Sequence, residues 1–183
     1  MIPQILLSSN QAKIERIEFV SSSQVGVGES PRVIDINLGI KKYNRVIAVC
    51  YAQYFNGYHS PNFTLNDINM NVELLATTGT DPARFAWIPI ESGVTGTLKI
   101  YSPHNAAISV YSIGNVQNTT PQIHKVIHGP IATTITFDLP YNSAVIAFNS
   151  ASNGGNIEQF TGTIGSQLDI DARLNAPGNI VNL

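Results

Sequence analysis

RVIAVCYAQYFNG, Arg45 to Gly57, is the longest apolar run in the chain, β-branched at its start, aromatic at its end and closed by Asn56-Gly57. Successive side chains of a strand point to opposite sides of its sheet. A run with no polar side therefore reads as a strand buried on both faces. The pattern returns about a hundred positions later in AVIAFNSASNGG, residues 144–155. Further matches follow in the same order: residues 34–38 with 135–139, 46–49 with 145–148, 63–64 with 160–161, and 72–76 with 168–172. Two matching strand sets predict similar sheets facing each other across one core.

Outward from that run the chain reads as strand after strand. VIDINLG alternates Ile34, Ile36 and Leu38 with Val33, Asp35 and Asn37, a half-buried strand. NFTLNDINMNVELLAT gives two strands, 62–65 and 70–76, around the turn formers Asn66-Asp67. RFAWIPI carries the only tryptophan, and its Pro89 places it near an edge or bulge. Residues 96–102 and 106–113 are expected to pair as a hairpin about Pro103-His104-Asn105. Strands at spacings of about eight to twelve residues, with no helical period, predict an all-β, antiparallel β-sandwich of jelly-roll-like type. SSSQVGVGESP marks a linker, so the expected division is an extended N-terminal arm over residues 1–32, a sandwich domain over 33–174 and a polar C-terminal tail over 175–183.

The composition excludes several function classes. Of 183 residues only 12% are charged, with a net charge of −2, and the ten Lys and Arg are scattered. No basic footprint for nucleic acid or an anionic membrane results. A surface of amides and hydroxyls suits either sugar binding or dense packing against other copies. Cys50, the only cysteine, lies in the central run and is expected to be a buried, inert thiol. No apolar stretch approaches the roughly eighteen residues of a spanning helix, and the start has no charged n-region, so synthesis in a cytoplasm without a secretion leader is expected.

Candidate chemistry is sparse. His124 and His128 are spaced to share a strand face, but no third ligand accompanies them; His59 and His104 stand apart. Asp169 with Asp171, and Asp35 with Asp138, form no acid and base pair, and no nucleophile elbow is present. No catalytic, cofactor-binding or metal residue is assigned, and no enzyme activity is expected. Asn62-Phe63-Thr64 and Asn118-Thr119-Thr120 match the glycosylation sequon in a chain rich in Asn. Aromatic residues are more informative: Tyr51, Tyr54 and Tyr58, beside His59 and Asn62, cluster at the end of the central strand as a candidate subunit interface or glycan platform.

The succession RVIAVCYAQ, SPNFTLNDINM, ARFAWIPIESGVTGTLKIYSP, AAISVYSIGNV and SAVIAFNSASNGGNIEQFTG resembles a diffuse family of β-sandwich accessory virion proteins of tailed bacteriophages and prophages. The resemblance covers residues 32–165, and its motifs are structural rather than catalytic. NDIN stands where members of that family tend to carry a Gly-Gly turn. The resemblance implies a non-enzymatic head decoration, fibre or tail-associated subunit, made in the host bacterial cytoplasm and resident in the virion. Its implied partners are other capsid or tail proteins and further copies of itself, with a trimer favoured. The alternative is a module that binds a host-surface glycan.

Overall fold

The computed structural model describes residues 4–8, 18–25, 30–40, 43–53, 61–75, 83–102, 106–116, 118–124, 143–147, 169–172 and 179–182. Every regular element among them is a strand. In chain order these are β1 (Gln4–Ser8), β2 (Glu18–Val25), β3 (Arg32–Asn37), β4 (Val46–Gln53), β5 (Asn62–Leu65), β6 (Ile68–Asn69) and β7 (Asn71–Leu74). There follow β8 (Ala83–Pro89), β9 (Thr95–Tyr101), β10 (Ala106–Ile113), β11 (Gln122–His124), β12 (Ser143–Ala147), β13 (Asp169–Ala172) and β14 (Asn179–Asn182).

One sheet runs β2-β10-β4-β8-β7 and a second β3-β9-β5-β6, all neighbours antiparallel. Leaving β7 aside, the eight strands from β2 to β10 lie in the order first-eighth-third-sixth and second-seventh-fourth-fifth, which is the strand order of a jelly roll. The antiparallel sandwich is thus as the strand spacing predicts.

Pleat alternation explains the core. Ile47, Val49 and Tyr51 of β4 face the four-stranded sheet and pack with Ile36, Leu38, Phe63, Leu65, Leu98 and Ile100. Val46, Ala48 and Cys50 face the other way and pack with Phe85, Tyr111 and Ile113, joined by Ile146 of β12 and Ile123 of β11. Residues 46–51 are all buried without remainder, each large apolar side chain contributing about 1.5–3 kcal/mol of transfer free energy. Ile146 and Ile123 belong to a third sheet, β11-β1-β12-β14-β13. The central sheet therefore has apolar partners on both faces, as the uninterrupted run requires. The matching strand sets do not supply the two facing sheets of the jelly roll: both of those come from residues 18–113, β12 and β13, matched to β4 and β7, lie in the third sheet, and the matched segments 135–139 and 160–161 lie outside the described residues.

Several expectations are corrected. Residues 18–25, assigned to the arm, are β2, whose ladder with β10 runs from Val25 opposite Ala106 to Glu18 opposite Ser112. The sandwich begins there and not at residue 33. The tail, 175–183, contains β14, which lies between β12 and β13. Strands β9 and β10 are not a hairpin; β9 pairs with β3 and β5, β10 with β2 and β4, so the connection between them crosses from one sheet to the other. Turn-forming residues mark a reversal without saying which sheet receives the next strand. β8 is internal, between β4 and β7, and its Pro89 is tolerated because β7 pairs only as far as Trp87.

Local chemistry fixes the turns. Asn66 and Asp67 have φ of 51° and 63° and close a two-residue hairpin loop between Leu65 and Ile68. Positive φ at both central residues is the type I′ requirement that Gly-Gly or Asn-Asp meets. Asn66-Asp67 meets that requirement without a glycine. Met70 then carries the chain over to β7 in the other sheet.

Arg45, immediately before β4, is 0% exposed. Its Nε donates to the Ile90 carbonyl at 2.9 Å, Nη1 to Leu38 and Ile40 at 2.8 and 3.1 Å, and Nη2 to Ser92 and Gly93 at 3.0 and 2.9 Å. These carbonyls belong to the segments that follow β3 and β8, so one guanidinium joins the two sheets at that end. Gly93, at φ +91°, supplies a backbone conformation that side chains disfavour.

Two predictions follow from this packing. Arg45→Ala lowers unfolding stability by about 3–5 kcal/mol, through carbonyls left without a donor. Arg45→Lys recovers less than half, because an ammonium cannot reproduce the planar fork. Urea denaturation measures both, and a loss below about 1 kcal/mol in Arg45→Ala would show that the clamp is dispensable. At Gly96 of β9 an added Cβ would lie 2.9 Å from Leu65 Cδ1 and 3.2 Å from Leu38 Cδ1. Gly96→Val is accordingly expected to cost about 1–3 kcal/mol by overpacking.

Candidate functional site

Of the candidate platform named from sequence, Tyr51 and Asn62 lie among the described residues. Tyr51 faces inward from β4 and is fully buried. Its ring meets Phe63 edge-on at 5.5 Å and 83°, and its hydroxyl shares a 2.7 Å hydrogen bond with the buried Ser102 hydroxyl. Tyr51 is therefore a core group and not a surface contact. The cause is parity: Tyr51 keeps step with Ile47 and Val49, whose side faces the four-stranded sheet. Tyr54, Tyr58 and His59 lie outside the described residues. Asn62 is exposed on β5 and accepts the Phe63 N–H at 3.0 Å.

Burial sets the chemistry of the two titratable groups in β4. It pushes the Cys50 thiol well up, which suppresses the thiolate that any nucleophilic or redox role needs. Burial also raises the Tyr51 phenol, opposed in smaller measure by its Ser102 hydrogen bond and the nearby Arg84 charge. Among the described residues no group of three or more His, Cys, Asp or Glu is placed to hold a metal ion. His124 ends β11 opposite Gln4; His59, His104 and His128 lie outside the described residues.

Among the described residues two exposed surfaces stand out. At one end of the sandwich Ile40, Tyr43 and Val94 are exposed on the segments that Arg45 holds, with the Tyr43 carbonyl accepting the Asn115 N–H at 2.8 Å. The other surface is the outward face of β3-β9-β5-β6, and its cross-strand neighbours follow from the ladder. Tyr101 stands opposite Asn62, Lys99 lies between Val33 and Thr64, and Asn69 pairs with Thr64 on the far side. Lys99 makes a 2.5 Å ion pair with Asp67, which raises the lysine, and Thr97 donates to Asp35 at 3.0 Å. Sequence reasoning overlooked Tyr101, although TLKIY, with Leu98 and Ile100 inward, places Lys99 and Tyr101 outward by alternation alone. The sequence marks Thr64 only as the last residue of the Asn62-Phe63-Thr64 sequon, and its burial depends on what surrounds it.

No family model, curated protein or solved structure matches this chain.

The environment of β4 predicts that Cys50 does not react with a disulfide-exchange reagent in the folded protein and reacts fully in denaturant; rapid labelling under native conditions would contradict its burial. A phenol raised in the folded state contributes stability that is complete below its unfolded value, near 10, and is lost as pH rises beyond it. Tyr51→Phe should therefore cost about 1 kcal/mol at neutral pH through the lost Ser102 bond. It should also flatten the fall of stability above that pH. Denaturation midpoints across the alkaline range measure both effects.

Proposed function

We propose that this chain is a non-enzymatic structural subunit of a tailed-phage virion, a head decoration, fibre or tail-associated protein, that assembles with copies of itself by exchanging its first strand. The observation that carries this is the placement of β1. Residues 4–8 are inserted between β11 and β12, in a sheet whose other four strands all come from beyond residue 121. In the matching sheet the same second position belongs to β10, which comes after its neighbours β2 and β4 in the chain.

A strand with partners along both edges satisfies its backbone groups equally well when a neighbouring copy donates it. Exchange changes the connectivity and leaves the contacts unchanged. Closed point symmetry favours a ring, and a trimer is the ring proposed. The exposed Ile40, Tyr43 and Val94 supply an apolar contact at the loop end. A nearly neutral surface, with 12% charged residues, lets copies pack closely without mutual repulsion. The resemblance of residues 32–165 to accessory virion proteins points the same way.

Leu6 and Val145 are register partners, and Cα atoms opposite each other in an antiparallel pair are about 4.5–5.5 Å apart, within disulfide reach. With Leu6→Cys and Val145→Cys combined, oxidation should give covalent oligomers ending at a trimer on non-reducing gels. The untagged protein should also co-purify with phage particles. Cross-links confined to single chains would refute strand exchange, and particles devoid of the chain would refute the virion role.

A further inference from the structure

The outward face of the four-stranded sheet carries a hydroxyl that the protein leaves unused. Phe63 and Leu65 point into the core, so Thr64 between them points out. Even so, Thr64 is only 6% exposed, and its Oγ1 has no hydrogen-bond partner. A buried hydroxyl without a partner is destabilising and uncommon in folded proteins.

Its surroundings fit one class of ligand. Asn62, two residues back on the same side of β5, spends its carboxamide oxygen on the Phe63 N–H and keeps its NH2 donors for another acceptor. Tyr101, directly opposite Asn62, is 40% exposed. Asn69, directly opposite Thr64 on β6, is exposed as well. Lys99, opposite Thr64 on β9, has its charge matched by Asp67. The centre of the face is thus aromatic, amide and hydroxyl, with the Lys99 charge matched by Asp67 and the exposed Val33 opposite Lys99.

We infer that this face binds a neutral glycan. A sugar ring lays its C–H face against Tyr101, the Asn62 and Asn69 amides pair with ring hydroxyls, and one sugar hydroxyl reaches Thr64 Oγ1 as Lys99 moves aside. The Lys99–Asp67 pair is exposed to solvent, so its displacement costs little. This inference does not depend on strand exchange, which involves a different sheet and is read by a different assay.

The test is affinity electrophoresis through native gels cast with dextran, galactomannan or a purified bacterial O-polysaccharide. At least one should retard the protein. Tyr101→Ala should abolish the retardation. Thr64→Val should weaken binding by about three- to tenfold, the equivalent of one neutral hydrogen bond, while its melting temperature stays level or rises because the unpaired hydroxyl is gone. Asn71→Ser, an exposed position on β7 of the other sheet, should migrate as wild type. No retardation by any of the three, equal retardation of wild type and the Tyr101 and Thr64 variants, or an equal loss in Asn71→Ser would each overturn the inference.

Discussion

The guanidinium of Arg45 is the constraint on which the sandwich depends. Burying a cation carries a desolvation penalty of several kcal/mol, and here it is offset by donation to five backbone carbonyls. Those carbonyls lie at the ends of β3 and β8 and the approach to β9, in segments that leave one sheet for the other and so lack a ladder partner on one side. A chain that crosses between sheets would otherwise bury unpaired carbonyls at each crossing. The clamp satisfies them together and fixes the spacing of the sheets at that end. Backbone bonds reinforce it: Ile90 N–H donates to the Arg45 carbonyl at 2.9 Å, and Leu38 N–H to that of Val94 at 2.8 Å.

From that end the two-sided burial of β4 governs side-chain size. A central strand covered on both faces must fit its neighbours within fixed gaps, and β10 beside it carries small residues at two such places. Ser109 is opposite Cys50 and Ser112 opposite Ile47. Both serines are buried and neither hydroxyl has a partner, so small volume is obtained at an energetic cost. Gly96 is the same solution on β9, where Leu38 and Leu65 close over the position that a Cβ would take.

Much of this was legible in the sequence, for identifiable reasons. Period-2 alternation in 33–38 and the unbroken run at 46–51 each specify a burial pattern locally, and both patterns are found. The repeat misled about the core: both facing sheets of the jelly roll come from residues 18–113, and β12 and β13, matched to β4 and β7, lie in the third sheet. Pairing across long separations was not legible. Whether residues 106–113 join β9 or β2 is decided by which sheet has an open edge, a property of the whole chain. The same limit misplaced the candidate site. Tyr51 looked like the first member of an aromatic surface cluster, but its parity with Val49 sends it into the core. Tyr101, on the outward register of β9, took its place beside Asn62. The Arg45 clamp was hidden for a related reason: an arginine ahead of an apolar run looks like a solvated flank until five carbonyls converge on it.

The edges of the sandwich bear on how the chain can associate. Open strand edges invite pairing with other chains, and short strands, charges, proline and bulges blunt them. In the four-stranded sheet β6 is only two residues long, and β3 follows Pro31 and carries Arg32 and Asp35. In the five-stranded sheet β7 has four residues, and β2 shifts register against β10 where Val20 is left without a partner. None of the four edges presents a long, flat, regular ladder, so open-ended growth by edge pairing is disfavoured throughout the sandwich. An interior strand is different, because it brings two complete sets of backbone partners and leaves no new edge behind. Among the described strands β1 fills an interior position at the greatest sequence separation from its two neighbours, β11 and β12, which is the reason for proposing it as the element exchanged between copies.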